Sequence, residues 1–198
     1  TVRLANGCEV GQGHLVRAGV PASWIARYQI IEYLRGFLFG RMGWAGINGL
    51  LIISGAFGLM RKDAVIEAGG YRHQTIGEDM ELIVRLHRVL RAKGEPYRIR
   101  YVAEPICWTE APENWTTLKN QRVRWQRGLC ESLWLNRGLL ASWPPNAAGW
   151  LAYPYFLLFE WAAPLVEFTG YLLLAWLLAF HGIRLDTAML FLLAALGF

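Results

Sequence analysis

The sequence is short of charge. Asp, Glu, Lys and Arg make up 18% of its 198 residues, against about 25% in an average soluble domain. The shortage is local. Leu151–Phe198 carries four charged side chains, Glu160, Glu167, Arg184 and Asp186, and the other 31 of the 35 precede it. With a net charge of +5 overall and −2 in that tail, the preceding part stands at +7. The apolar set reaches 55%, which excludes a disordered chain, and the unevenness excludes a uniformly soluble single domain. Cysteine is also scarce: Cys8, Cys107 and Cys130 are odd in number and widely spaced. They form neither a zinc-type CxxC pair nor a secreted disulfide framework, so the front part is expected on a reducing, cytosolic face. Aspartate occurs only at Asp63, Asp79 and Asp186.

Several signatures are missing. No GxSxG elbow occurs, and Ser23, Ser54, Ser132 and Ser142 have no recognisable triad partners. Gly11-Gln12-Gly13 lacks the rest of a dinucleotide fingerprint. His14, His73, His87 and His181 share no metal-ligand spacing and are expected to be structural. Nothing in the first residues matches the charged and apolar regions of a signal peptide. The chain starts at Thr1 rather than Met and stops inside an apolar run, so a piece of a longer protein is expected.

What is present begins with a long apolar tail. From Tyr153 to Phe180 only Glu160 and Glu167 can ionise. A helix of that length exceeds a hydrocarbon core of about 30 Å. With Pro154 and Pro164 inside it, the expectation is an interfacial stretch followed by a span of about 20 residues ending near Phe180. Glu160 and Glu167, seven apart, are expected on one helix face. A second span begins near Leu185. Arg122, Arg124, Arg127 and Arg137 precede the first span and place the front part in the cytoplasm by the positive-inside rule. Trp134, Trp143, Trp150 and Trp161 flank the entry, where indole rings favour the interface. Attraction to anionic headgroups explains the basic cluster more simply than nucleic acid, which is not expected as a partner.

In the front part, Pro21 to Phe39 predicts a helix, with Trp24, Tyr28, Ile31 and Leu34 or Leu38 on one stripe. Leu50 to Met60 reads as a buried strand, with glycines where something approaches the backbone. A short helix over Asp63 to Ala68 is stopped by Gly69-Gly70. An amphipathic helix runs from Met80 to Lys93 and closes at Gly94. Tyr97 to Ala103 alternates like a strand, and Glu113 to Leu140 is helical. The mixture predicts an α/β layer leading into amphipathic helices.

Two segments could carry chemistry. Thr75-x-x-Glu78 fits a capping box, and acids suit a helix start. A second carboxylate at Asp79, after a glycine-flanked turn at the mouth of an α/β layer, also suits a general base. In Gln121-Arg122-Val123-Arg124-Trp125, arginine offers a bidentate fork for phosphate. Tryptophan offers a stacking face for a sugar, and glutamine pairs with hydroxyls. A plain membrane-surface helix would carry the same residue types.

Taken in order, Ile53-Ser54-Gly55-Ala56-Phe57-Gly58-Leu59, Gly69-Gly70-Tyr71, Gly77-Glu78-Asp79 and Gln121-x-x-Arg124-Trp125 resemble the family 2 membrane glycosyltransferases, which include cellulose, chitin and hyaluronan synthases and bacterial polysaccharide synthases. Gln29-x-x-Glu32-Tyr33 also matches a segment common in that group. The resemblance implies inverting transfer of a sugar from a nucleotide-diphosphate donor, a UDP-sugar, to a glycan or lipid acceptor hydroxyl. It implies Asp79 as the base, with Glu78 beside it. It places Gln121, Arg124 and Trp125 at the acceptor and the diphosphate, and Ser54 and Gly55 on the acceptor-site strand. The family's donor half also carries an Asp for the nucleobase of the donor and an Asp-x-Asp for a divalent cation, Mg or Mn. None of the three aspartates matches these. Both are expected before Thr1, so this stretch alone is expected to be inactive.

The resulting expectation is the acceptor half of a GT-A-like α/β domain over residues 1–112 and amphipathic interface helices over 113–152. A transmembrane helix over 153–180 and the start of a second at 185–198 follow. The whole would sit in a bacterial-type inner membrane as part of a multi-pass enzyme, with membrane lipids as partners. Processive polysaccharide synthesis leads. Single transfer to a lipid acceptor and a non-catalytic membrane-anchored module are the alternatives.

Overall fold

The computed structural model describes residues 2–3, 9–10, 23–55, 57–103, 111–180, 182, 184 and 186–191. Cys8, Cys107, His14 and His181 lie outside them, as does the Gly11-Gln12-Gly13 segment. The chain divides into two units, Thr1–Pro154 and Tyr155–Phe198.

In the first unit β1 (Val2–Arg3) pairs antiparallel with β2 (Glu9–Val10). Then come α1 (Trp24–Tyr33), a π-helical segment Leu34–Gly40, α2 (Arg41–Gly46), α3 (Lys62–Glu67), α4 (Glu78–Ala92) and α5 (Trp115–Leu135). A 3-10 turn Arg137–Leu139 and a π segment Ala148–Ala152 follow, and α6 (Tyr153–Tyr155) begins in this unit and ends on the first residue of the second. The helices agree with the periodicity to within a few residues. Gly69 and Gly70 adopt φ of +89° and +69° and end α3, and Gly94 at +71° ends α4. Those conformations are open to glycine and strained for most other residues. Asn114 caps α5, its Oδ1 accepting the Thr117 N–H at 2.9 Å.

The described residues are mainly helical and do not show the expected α/β layer. Among the described residues the two-residue pair is the only strand pairing. Leu50–Met60 begins buried, with Leu51 at 0% exposure, but forms no ladder and ends with Leu59 fully outside. Its Leu50 carbonyl goes to a side chain, accepting from the His87 ring at 2.9 Å. Tyr97–Ala103 keeps its alternating burial, again without a ladder. There one side chain does the work of a neighbouring strand. Asn48 Nδ2 donates to the Tyr97 carbonyl at 3.2 Å, and Asn48 Oδ1 accepts the Ile99 N–H at 2.9 Å. A ladder needs a second backbone alongside, and a lone extended segment satisfies its polar groups where it can.

The core lies around α4, where Leu82, Ile83 and Leu86 pack with Ala68 and, at its edge, Ile53, Met60, Val65 and Ile99. Inside it Glu81 and Arg85 are ion-paired at 2.9 Å, and both are buried. Arg85 also donates to the carbonyls of Ala68 and Gly70, which fastens the turn after α3 onto α4. His87 is structural, as expected. The Leu50 carbonyl can only accept, so Nε2 carries the proton and Nδ1 accepts from the Tyr97 hydroxyl at 2.7 Å.

The stripe Trp24, Tyr28, Ile31 and Leu34 faces outward, Ile31 being 68% exposed. The buried face of α1 is Ile25, Ala26 and Gln29. Trp134, Trp143 and Trp150 are exposed as well.

In the second unit a π segment Phe156–Trp161 precedes α7 (Ala163–Phe180). α7 has a mean hydropathy of 1.6, is long and apolar enough to cross a membrane, and has no buried residue. Pro164 falls in its first turn, where a missing N–H is harmless. The break at Ala162 puts Glu160 on the π segment and Glu167 on α7. After Gly182 (φ +58°), residues 186–191 are helical again. A Cβ on Gly170 would lie 3.5 Å from the Phe191 ring, so this stretch folds back beside α7.

Candidate active site

The site is built on the first turn of α4. Its N-cap is Gly77, with no side-chain cap. The expected Thr75/Glu78 capping box therefore does not form. Thr75 lies two residues too early and donates instead to the Arg72 carbonyl at 3.1 Å. Glu78 is exposed on the first turn, and Asp79 is half-buried beside it. Asp79 Oδ1 accepts the Met80 N–H at 2.8 Å, and a carboxylate is favoured at this end of a helix by the aligned peptide dipoles. The other oxygen faces the Ser54-Gly55 turn: a Cβ on Gly55 would stand 2.9 Å from Asp79 Oδ2. Glycine at 55 is thus what lets the chain pass this close to the carboxylate. Two segments 24 positions apart in sequence meet at one oxygen.

The second motif lies on α5. Gln121, Arg124, Gly128 and Ser132 recur at spacings of three and four, which put them on one helix face. Gly128 meets Gly77 backbone to backbone. A Cβ on either glycine would stand 3.0 Å from the other's Cα. Around this contact Glu131 Oε2 accepts the Ile76 N–H at 3.0 Å, and Ser132 Oγ, which donates to the Gly128 carbonyl at 2.7 Å, lies 3.4 Å from the Gly77 carbonyl. The turn that carries Asp79 is therefore seated at the foot of the stripe that carries Gln121 and Arg124. Arg124 is exposed, Trp125 is 37% exposed, and Gln121 is half-buried.

The Gln29-x-x-Glu32-Tyr33 segment supports that helix. Gln29 is buried and its Nε2 donates to the Pro112 carbonyl at 2.7 Å, just ahead of α5. Glu32 accepts from Arg122 at 2.5 Å, and the Arg122 guanidinium sits 4.8 Å from the Trp125 ring. Tyr33 stacks on Phe37 at 4.5 Å, and both rings flank Trp125, at 6.4 and 5.8 Å. Burial raises the Tyr33 phenol above its ordinary pKa, opposed by Arg122 and by a hydrogen bond with Gln121. Arg122, in the middle of the motif, is thus a packing residue, while Arg124 stays open to a ligand.

Sequence reasoning missed two contributors. Arg41 opens α2 only 8% exposed, with its guanidinium 4.0 Å over the Phe37 ring. Burial lowers its pKa, and the nearby Tyr101 and Asp79 oppose that shift. Arg41 Nε and Gln121 Oε1 are both buried without a hydrogen-bond partner. No motif marks Arg41. Gly128 did leave a signal: a glycine inside an exposed helix is about 1 kcal/mol worse than alanine and calls for a packing reason. Two clefts, of about 390 and 340 Å³, lie near Arg91 and near Arg72 and Trp134, and Asp79 lines neither. Among the described residues no three of His, Cys, Asp and Glu gather where a cation could sit.

What this arrangement can do is accept a proton at Asp79 while Arg124 and Trp125 present a cation and an aromatic face from the adjoining helix. The chain matches the family model described as glycosyl transferase family group 2 over residues 2–198. It is 37% identical over 110 residues to a poly-beta-1,6-N-acetyl-D-glucosamine synthase of Staphylococcus aureus (strain COL), covering 54% of this chain and 24% of that protein. A protein of the same name from Staphylococcus epidermidis is 33% identical over 142 residues, 70% of this chain and 31% of its own length. The chain thus spans about a quarter to a third of these relatives. No solved structure matches it. The chain belongs to glycosyl transferase family group 2.

Proposed function

We propose that the protein acts in inverting transfer of a sugar from a nucleotide-diphosphate donor, a UDP-sugar, to an acceptor hydroxyl at a membrane, extending a polysaccharide processively. The observation that carries this reading is the Asp79 carboxylate, with one oxygen tied to the Met80 N–H and the other beside Gly55, seated against the helix of Gln121, Arg124 and Trp125.

In the proposed step Asp79 takes the proton of the acceptor hydroxyl. The acceptor oxygen forms a bond to the anomeric carbon on the face opposite the diphosphate. The bond from that carbon to the phosphate oxygen breaks, and its electron pair leaves with the nucleoside diphosphate. A diphosphate leaves without being protonated, so one carboxylate suffices, whereas a glycosidase needs two. Arg124 meets the charge on the departing diphosphate as a bidentate partner. Trp125 and Gln121 hold the acceptor ring and its hydroxyls, and Glu78 and Ser54, both exposed beside Asp79, complete its binding surface. The divalent cation implied by the family finds no ligand cluster among the described residues, so no step here is routed through it.

The relatives' names make N-acetylglucosamine the first donor sugar to try and a growing glycan the first acceptor. Membrane action is supported by α7 and by the outward-facing Trp24, Tyr28 and Ile31. The basic residues of α5 favour a cytoplasmic site in a multi-pass protein of a bacterial-type inner membrane. The test is Asp79→Asn in the full-length enzyme. Transfer is expected to fall by about 10²-fold or more, with donor binding retained. Transfer at the wild-type rate would reject Asp79 as the base.

A further inference from the structure

We infer that the Gly77–Gly128 contact is a joint that sets the distance between the base and the acceptor-binding helix, and that Gly128 and Glu131 are positioning residues that favour transfer to the acceptor over transfer to water. The inference rests on the proposed function and adds to it a determinant of which nucleophile is used.

The contact has no slack. Gly128 faces Gly77 with backbone on both sides: a Cβ on Gly128 would meet Gly77 Cα and N at 3.0 Å, and one on Gly77 would meet Gly128 Cα, C and O at 3.0–3.3 Å. Backbone atoms cannot rotate aside as the end of a side chain can, so a methyl group at either position parts the two segments by a few tenths of an ångström. Polar groups hold the same joint. Glu131 takes the Ile76 N–H beside Gly77 at 3.0 Å, and the Ser132 hydroxyl, whose single proton goes to the Gly128 carbonyl at 2.7 Å, packs 3.4 Å from the Gly77 carbonyl. Glu131 is bonded to Ile76 and Arg127, and Ser132 to the Gly128 carbonyl, rather than to Asp79, Arg124 or Trp125, so they act through placement.

The lever is short. Asp79 is two residues beyond Gly77, and Arg124 is one helical turn from Gly128, about 6 Å along the axis. A base works on a hydroxyl within about 2.6–3.2 Å. A sugar hydroxyl held by Gln121 and Trp125 cannot follow the base when the joint opens, because its ring is fixed by the other helix. Water is small and unheld, so it can still reach the anomeric carbon. Opening the joint should therefore lower transfer more than hydrolysis of the donor.

The test uses the full-length enzyme with UDP-N-acetylglucosamine. It measures sugar transferred against free sugar released, together with the donor KM and the thermal unfolding temperature. Since a 1 Å misplacement costs about 10²-fold, Gly128→Ala is expected to lower the transfer-to-hydrolysis ratio about 3- to 10-fold with the donor KM unchanged. Glu131→Ala should shift the ratio the same way, about 2-fold, and should speed hydrogen exchange of the Ile76 amide. Gly43→Ala, in α2 with open space around it, should leave the ratio alone. Transfer and hydrolysis falling together, or an unchanged ratio in folded Gly128→Ala, overturns the inference. If Gly128→Ala does not fold, the Glu131→Ala ratio decides in the same way. A wild-type enzyme that transfers no sugar overturns the proposed function, and is told apart because the Ile76 exchange change in Glu131→Ala persists.

Discussion

Removing Arg85 should be among the most damaging single changes in the first unit. Arg85 and Glu81 are 2% and 0% exposed. Arg85 Nε donates to both Glu81 oxygens at 3.1 Å, and Nη2 donates to Glu81 Oε2 at 2.9 Å and to the Gly70 carbonyl at 2.6 Å. Nη1 serves the Ala68 carbonyl. Arg85→Met would leave a buried carboxylate with Arg72 at 3.4 Å and Asn136 Nδ2 at 3.1 Å as its remaining partners, and would strip two carbonyls. Breaking a buried pair from one side costs about 3–5 kcal/mol, and the two surviving partners put the expectation near the lower end. At about 2–4 °C per kcal/mol for a unit of this size, unfolding should occur about 6–12 °C lower. Glu81→Leu/Arg85→Met removes the orphaned charge as well and should be less destabilised than Arg85→Met alone. The assay is thermal unfolding followed by near-UV tryptophan dichroism on wild type, both single variants and the double. A double variant at least as unstable as Arg85→Met would refute the reasoning, because the penalty would then lie in lost packing.

His87 supplies a pH dependence. Burial, chiefly, lowers its pKa from 6.5 to about 4, with the Leu50 carbonyl opposing and Arg91 adding to the shift. The unfolded chain therefore takes up the proton first as pH falls, so stability is complete above 6.5 and drains away down to about 4, by about 3 kcal/mol in all. Denaturation midpoints across that range should fall in the wild type, and a slope that survives His87→Gln would assign the effect elsewhere. Asn114→Ala removes the α5 cap and should lower stability by about 1 kcal/mol, read from the same unfolding curves. A change below a few tenths would mean that Glu113, whose carbonyl accepts from Ser23, already fixes the helix start.

The helices were readable because their cues are local. Gly69-Gly70 and Gly94 stop α3 and α4 where a left-handed residue is required. The apolar spacing of 80–93 predicted the face that Leu82, Ile83 and Leu86 bury. The strands failed for the opposite reason. Alternation in 97–103 reports burial on one side and says nothing of whether a second backbone lies alongside, and here the amide of Asn48 takes that place. On α1 the stripe was real but its direction was not encoded in it. Gln29 sits on the buried face because its amide is needed at the Pro112 carbonyl, leaving the tryptophan and isoleucine side outside. Polar satisfaction decided which face turned inward.

The site was legible as two motifs and illegible as one place. Gly77-Glu78-Asp79 and Gln121-x-x-Arg124-Trp125 each announce chemistry, but nothing in either states how far apart they fold. That information lies in residues with no chemistry of their own. Gly55 admits the chain beside Asp79 Oδ2. Gly128 admits the Asp79 turn against α5. Gln29, Glu32 and Tyr33 brace the same helix nearer its start. A helix-interior glycine gives up about 1 kcal/mol of intrinsic helix stability, and the return is a backbone separation that no larger residue permits. The residues proposed for catalysis can therefore be carried into another protein without the activity following, unless the glycines that set their spacing are carried with them.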